Sequence, residues 1–192
     1  MVKLNYEKLA ENFKPHNIKI ILIGEAPPPS GEKYFYKIPK NYFPIDSIED
    51  DISLPATIFN HYFGRRPENS EEYKEFLICL MGNGIFLIDM IDEPLKIRDK
   101  KEKGGINQTN LKKLFSDDNL CLLKDRIDKL IDQEAKLIFL IARNYKIFWM
   151  NKLKEKFTEA TFIKWNDFRL NTNEIKDCKV LKPAHMQHIS ND

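Results

Sequence analysis

Short, unbroken apolar runs alternate along this chain with stretches whose apolar residues recur at helical spacing. Ile18–Ile23 is apolar except for Lys19, Ile85–Ile88 follows the turn-forming Gly82-Asn83-Gly84, and Leu137–Ala142 has the same character. Runs this short and rich in isoleucine suit strands buried on both faces of a parallel sheet. Cys178–Leu181 is a weaker run of the same kind, and Ala160–Ile163 predicts a short edge strand. Between them lie helical patterns. Leu4–Phe13 is periodic and stops at Lys14-Pro15, where proline disfavours a continuing helix. Ser70–Met81 offers Ser70 as a cap and places Glu71 and Glu72 in the first turn, where the helix dipole favours acids. Leu120–Ile131 sets apolar residues at positions 120, 123, 127, 130 and 131 on one stripe, and Asn144–Phe157 repeats the theme.

Strands alternating with helices predict an α/β fold: a three-layer α/β/α sandwich around a central, mostly parallel sheet of four or five strands. No internal repeat or low-complexity segment divides the chain, so residues 1–192 are expected to form a single domain. The charged stretch Arg98–Gly105 reads as a solvated loop. In an open parallel sheet, ligands bind beyond the carboxyl ends of the strands. Four segments therefore matter most: Gly24–Gly31, Asp89–Glu93, Arg143–Tyr145 and Pro183–His188.

In the first segment, Gly24 is expected to let the strand turn, and Pro27, Pro28 and Pro29 fix φ at three successive positions. Glu25 is thus held on a stiff backbone, as a catalytic carboxylate needs to be, although a helix-capping acid in a surface turn would look the same. The prolines remove the N–H donors that a phosphate cradle requires. Tyr34-Phe35-Tyr36 follow, three aromatics that can stack on a flat ligand or return to the core. Asp89, directly after its strand, is either a ligand-reading group or a helix cap. Arg143-Asn144 can contact a phosphate or start a helix. His185 and His188 close the last strand at i, i+3 spacing without a third ligand beside them, so no metal site is expected; hydrogen bonding to a carbonyl is their ordinary role. His16 and His61 have no comparable setting.

Composition changes little. Charged residues make up 31% and hydrophobic residues 42%, an ordinary globular balance. A formal charge of +2 neither demands nor excludes nucleic acid, since a basic groove can hide in a neutral total. The N-terminus lacks the apolar core of a signal peptide, and no apolar run nears the roughly 20 residues that span a bilayer, so no membrane association is expected. Cys79, Cys121 and Cys178 are odd in number and never form C-x-x-C. They read as small buried apolar residues in a reducing compartment, which implies a cytoplasmic protein.

Taken together, IILIGEAPPPSGEKYFY, GIFLIDMIDEP and CKVLKPAHMQHISND resemble the three motifs of the uracil-DNA glycosylase superfamily, the first in its GEAPG form. The resemblance runs from about residue 18 to 190, and its first motif is the specific one. It implies excision of a deaminated or otherwise modified base, uracil by default, flipped out of DNA and stacked on an aromatic. Phe35 is the preferred stacking residue, with Tyr34 the other option. Glu25 would orient the attacking water, and His185 would stabilise the negative charge on the departing base. Gly24, Ala26, Pro27 and Asp89 would complete the base site. The resemblance further implies action without a cofactor, by a monomer, on DNA as partner. Three departures stand out. The iron–sulfur branches of that superfamily need four cysteines, and the three here lie at other spacings, so no cluster is expected. Asp89 stands where the family carries an asparagine, and a carboxylate that only accepts hydrogen bonds meets the O4 acceptor of uracil badly unless it is protonated. Met186-Gln187 follow His185 in place of Pro-Ser or Pro-Ala, and the family's DNA-intercalating loop would be short or missing. A catalytically silent member that binds a nucleobase, nucleotide or nucleic acid is the alternative, and an unrelated α/β protein with a chance GEAP is a third.

Overall fold

The computed structural model describes residues 5–28, 31, 34–40, 53–95, 108–131, 134–141 and 145–170. Its centre is a four-stranded sheet of β1 (Ile20–Gly24), β2 (Ile85–Asp89), β3 (Lys136–Ile141) and β4 (Thr161–Lys164) in the spatial order β2-β1-β3-β4. Every pairing is parallel. Residues 21–23 of β1 are all buried, as a strand flanked by neighbours and covered on both faces requires. The predicted α/β sandwich is therefore the architecture found, with Ala160–Ile163 realised as the edge strand β4, one residue later. Cys178–Leu181 and Arg98–Gly105 lie outside the described residues.

Helices α1 (Tyr6–Glu11), α3 (Ser70–Gly82), α5 (Asp117–Leu130) and α6 (Ile147–Lys156) correspond to the four predicted ones. Two local details differ. The cap of α3 is Asn69, whose side chain accepts from the Glu72 N–H, and Ser70 is the first helical residue. Helix α6 begins three residues later than its periodicity suggests, after Lys146. Helices α2 (Leu54–Phe63), α4 (Gln108–Leu114) and α7 (Trp165–Leu170) have no counterpart in the sequence pattern. The reason is plainest for α2: residues 56–62 are all buried, so no polar face alternates with an apolar one. Within it, His61 donates through Nδ1–H to the Phe168 carbonyl (2.7 Å) and stacks on the Phe168 ring at 3.7 Å, which ties α2 to α7.

The cysteine expectation holds for the burial of Cys79 and not otherwise, and Cys178 lies outside the described residues. Cys79 is disulfide-bonded and Cys121 is free and exposed, so cysteine usage does not argue for a reducing compartment. Among the described residues, no helix is long and apolar enough to cross a membrane.

The outer edge of β2 is closed by a side chain. The buried Tyr36 hydroxyl accepts from the Leu87 N–H (2.6 Å) and donates to the Leu87 carbonyl (3.1 Å), supplying both bonds that an adjacent strand would give. Tyr36→Phe is expected to lower unfolding free energy by roughly 1–3 kcal/mol, because a buried donor and acceptor lose their partner while the ring remains. Urea denaturation checks this; a change below about 0.5 kcal/mol would mean that the bonds contribute nothing net.

Candidate functional site at the carboxyl ends of β1 and β2

Gly24 and Asp89 are register partners at the last positions of β1 and β2. A Cβ on Gly24 would lie 2.7 Å from Asp89 Oδ1, closer than such atoms approach. The left-handed glycines among the described residues are Gly31, Gly64 and Gly84, so Gly24 is not there for a turn. Its missing side chain makes room for the Asp89 carboxylate. Gly24→Ala is expected to destabilise by about 1–3 kcal/mol through overpacking, and Asp89→Ala in the same chain should return much of that loss. A denaturant double-mutant cycle measures the coupling, and strict additivity would show that the two do not compete for space.

The chain order reverses between β1 and β3, and crevices open where it does so. Glu25, the first residue after β1, stands at that point. The loop it begins is tied to α1 by reciprocal bonds: the Tyr6 hydroxyl donates to the Pro28 carbonyl (3.1 Å), and the Tyr34 hydroxyl donates to the Tyr6 carbonyl (3.2 Å). The two rings meet edge to face at 4.7 Å. Helix α1 thereby becomes one wall of a cavity of about 730 Å3 that runs along the outer edge of β2 to α5. Such a volume accommodates a nucleoside-sized ligand.

The structure brings part of the expected set together here. Pro27, Tyr34 and Asp89 line the cavity, and Gly24 sits behind Asp89. Glu25 adjoins Asp89 closely enough for its charge to act on it, without being part of the lining. Ala26 packs against the hydrophobic core. Phe35 is a core residue, 4% exposed: it packs against Phe59 (5.6 Å), and its carbonyl accepts from the Tyr73 hydroxyl (2.8 Å). Of the two aromatics expected to stack on a ligand, Tyr34 is thus the one at the cavity. His185, His188 and Arg143 lie outside the described residues.

Three participants escape a reading of the sequence. Tyr6 looks like one more apolar residue of a short helix. Arg126 donates through Nη2 to the carbonyls of Asp89 (2.7 Å) and Met90 (3.0 Å) and pairs with Asp92 through Nη1. Two turns earlier on α5, Asn119 donates to the Met90 carbonyl (3.3 Å). One signal was available: Arg126 lies three residues after Leu123 and four before Leu130, on the flank of the apolar stripe, where a cation needs a reason to be.

Electrostatics set Asp89 apart. Only 9% of its surface is exposed, and burial, reinforced by Asp92 and Glu25 and opposed by Arg126, pushes its carboxyl up to about 7. Burial likewise raises the Tyr34 phenol, with Asp89 adding to the effect, so Tyr34 stays neutral. Carboxylates at the cavity (Glu7, Glu11, Asp89, Asp92, Glu93) outnumber its cations (Lys14, Arg126, Lys129), with Glu11 paired to Lys14, Asp92 to Arg126 and Glu93 to Lys113. Among the described residues, no group of three or more histidines, cysteines, aspartates and glutamates is placed to hold a metal ion. No family model matches the chain, and no match is found among curated proteins or solved structures.

Proposed function

We propose that the protein is a glycosylase-like enzyme that hydrolyses the N-glycosidic bond of a modified base flipped out of DNA. One observation carries this reading: Glu25 and Asp89 stand at the carboxyl ends of adjacent parallel strands, close enough for the charge of one to act on the other, and Asp89 faces a cavity with a tyrosine wall. The chemistry needs those parts. A flipped base needs a flat apolar surface and a group that reads its edge, which Tyr34 and Asp89 would provide. A water attacking the sugar carbon needs a carboxylate to orient it and accept its proton, which Glu25 would provide from its proline-stiffened loop. The resemblance of IILIGEAPPPSG to the first glycosylase motif agrees with that division of labour.

A second reading, binding of a nucleobase or nucleoside without cleavage, draws on the acidic cavity wall. Excess carboxylates give DNA phosphates no attraction there, so a DNA backbone would have to be held elsewhere. The test is a cleavage assay on single- and double-stranded oligonucleotides containing uracil, hypoxanthine, xanthine, mismatched thymine or 8-oxoguanine. Hydrolysis leaves abasic sites that alkali converts to strand breaks. Breaks at one or more of these bases support the enzyme; intact strands in every case overturn it and leave the binding reading.

A further inference from the structure

We propose that the cavity beside β2 selects a base that presents two adjacent N–H donors, the guanine-type edge, and that the Asp89 carboxylate reads it. This rests on the base-pocket reading above and names the edge that the pocket prefers.

Asp89 is nine-tenths buried and lines the cavity, yet among the described residues its carboxylate receives no hydrogen bond. Arg126, its cationic neighbour, spends its bonds on the backbone carbonyls of residues 89 and 90 and on Asp92. Gly24 leaves the space in which the carboxylate sits, so the group is accommodated by the backbone without being satisfied by it. An ionised carboxylate has several acceptor sites and no donor, and this one turns them to the cavity. A ligand that fills them must bring hydrogens.

Base edges differ in this respect. Guanine offers N1–H and the 2-amino group side by side, one for each carboxylate oxygen. Hypoxanthine keeps N1–H but lacks the amino group. Uracil sets N3–H beside the O4 acceptor, so one carboxylate oxygen faces another acceptor. Asp92 and Glu93 on the loop after β2 are paired with Arg126 and Lys113, while Glu7 on α1 adds negative potential at the cavity, which favours donors over acceptors.

The preference depends on ionisation. Among the described residues, the charged and titratable groups around Asp89 are Glu25 after β1, Asp92 after β2, Arg126 on α5, Tyr6 and Tyr34 at the α1 wall, and the neutral, buried Tyr36 at the edge of β2. The carboxyl itself changes state near pH 7. Above that pH both oxygens accept. Below it one oxygen carries a hydrogen, and the resulting acceptor–donor pair matches N1–H and O6 of guanine and hypoxanthine equally, as well as N3–H and O4 of uracil.

Calorimetric binding of deoxyguanosine, deoxyinosine and deoxyuridine to the full chain tests this. At pH 8.5 deoxyguanosine should bind at least about tenfold more tightly than deoxyinosine, the effect of one charge-assisted hydrogen bond. Deoxyuridine should bind more weakly still. At pH 5.5 the deoxyguanosine-to-deoxyinosine ratio should fall towards one. Asp89→Asn, which presents one acceptor and one donor at every pH, should abolish the ratio at pH 8.5 and strengthen deoxyuridine. Equal affinities at pH 8.5, a ratio unchanged at pH 5.5, a ratio that survives in the variant, or no binding at millimolar nucleoside would each overturn the proposal. The wild-type pH series stands even if the variant fails to fold. Strand breaks without this preference would sink the inference alone; the preference without strand breaks would sink only the hydrolysis.

Discussion

Glu25→Gln should lower the rate of alkali-labile site formation by about two to four orders of magnitude, the range a positioned general base supplies. Glutamine keeps the shape of the side chain and can still touch a water, but it cannot accept the proton that the water releases as it bonds to the sugar carbon. The loop should be unaffected, because its stiffness resides in the prolines and in the bonds that Tyr6 and Tyr34 make across to α1. Glu25 also acts electrostatically on Asp89, so unfolding curves of the two proteins at the assay pH are recorded beside the rates to separate lost chemistry from lost structure. The comparison is single-turnover cleavage of whichever oligonucleotide the wild type nicks. A variant keeping more than about a tenth of the rate would remove Glu25 from the chemistry.

The second large effect concerns stability. Burial raises the Asp89 carboxyl from an ordinary 3.8 to about 7 in the folded chain. Below pH 4 it is protonated whether the chain is folded or not, and it contributes no pH dependence. Between pH 4 and 7 the unfolded chain releases this proton while the folded chain retains it, so rising pH favours unfolding. The accumulated loss is on the order of 4 kcal/mol, reached near pH 7 and constant above it. Asp89→Asn has no proton to release. Its unfolding free energy should gain on the wild type steadily from pH 4 to 7, and the gap should then stop growing. Urea melts at half-unit pH intervals would show this; parallel pH profiles for the two proteins would mean that Asp89 titrates normally.

Much of this arrangement is legible in the sequence, for physical reasons that also mark where legibility ends. The strands announce themselves because a central parallel strand has no wet face, which forces runs such as Ile20–Ile23 and Leu137–Ile141. From the strands come their carboxyl ends, and so Glu25 and Asp89 stand out as the first polar groups beyond apolar runs. Helix α2 is hidden by the same logic, because burial on every side erases the periodicity that identifies a helix. Tyr34 and Phe35 are adjacent and point to different surroundings, which spacing alone does not order. Their chemistry does: the Tyr34 hydroxyl can reach a carbonyl at a cavity wall, whereas Phe35 has nothing to offer there. Arg126 and Tyr6 act through contacts with residues 37 and 22 positions away, and local pattern carries no record of such pairings.

The Tyr36 hydroxyl on Leu87 bears on how copies of this chain meet one another. An exposed strand edge is a template on which a neighbouring molecule can continue the sheet, and among the described residues β2 is a terminal strand, rich in isoleucine and leucine. One phenol, occupying the N–H and C=O at the middle of that edge, interrupts the template where two intermolecular bonds would have to form. The border of β2 is thus kept for a ligand-sized cavity instead of another chain, and a protein lacking that hydroxyl should be the more prone to assemble into sheets as it is concentrated.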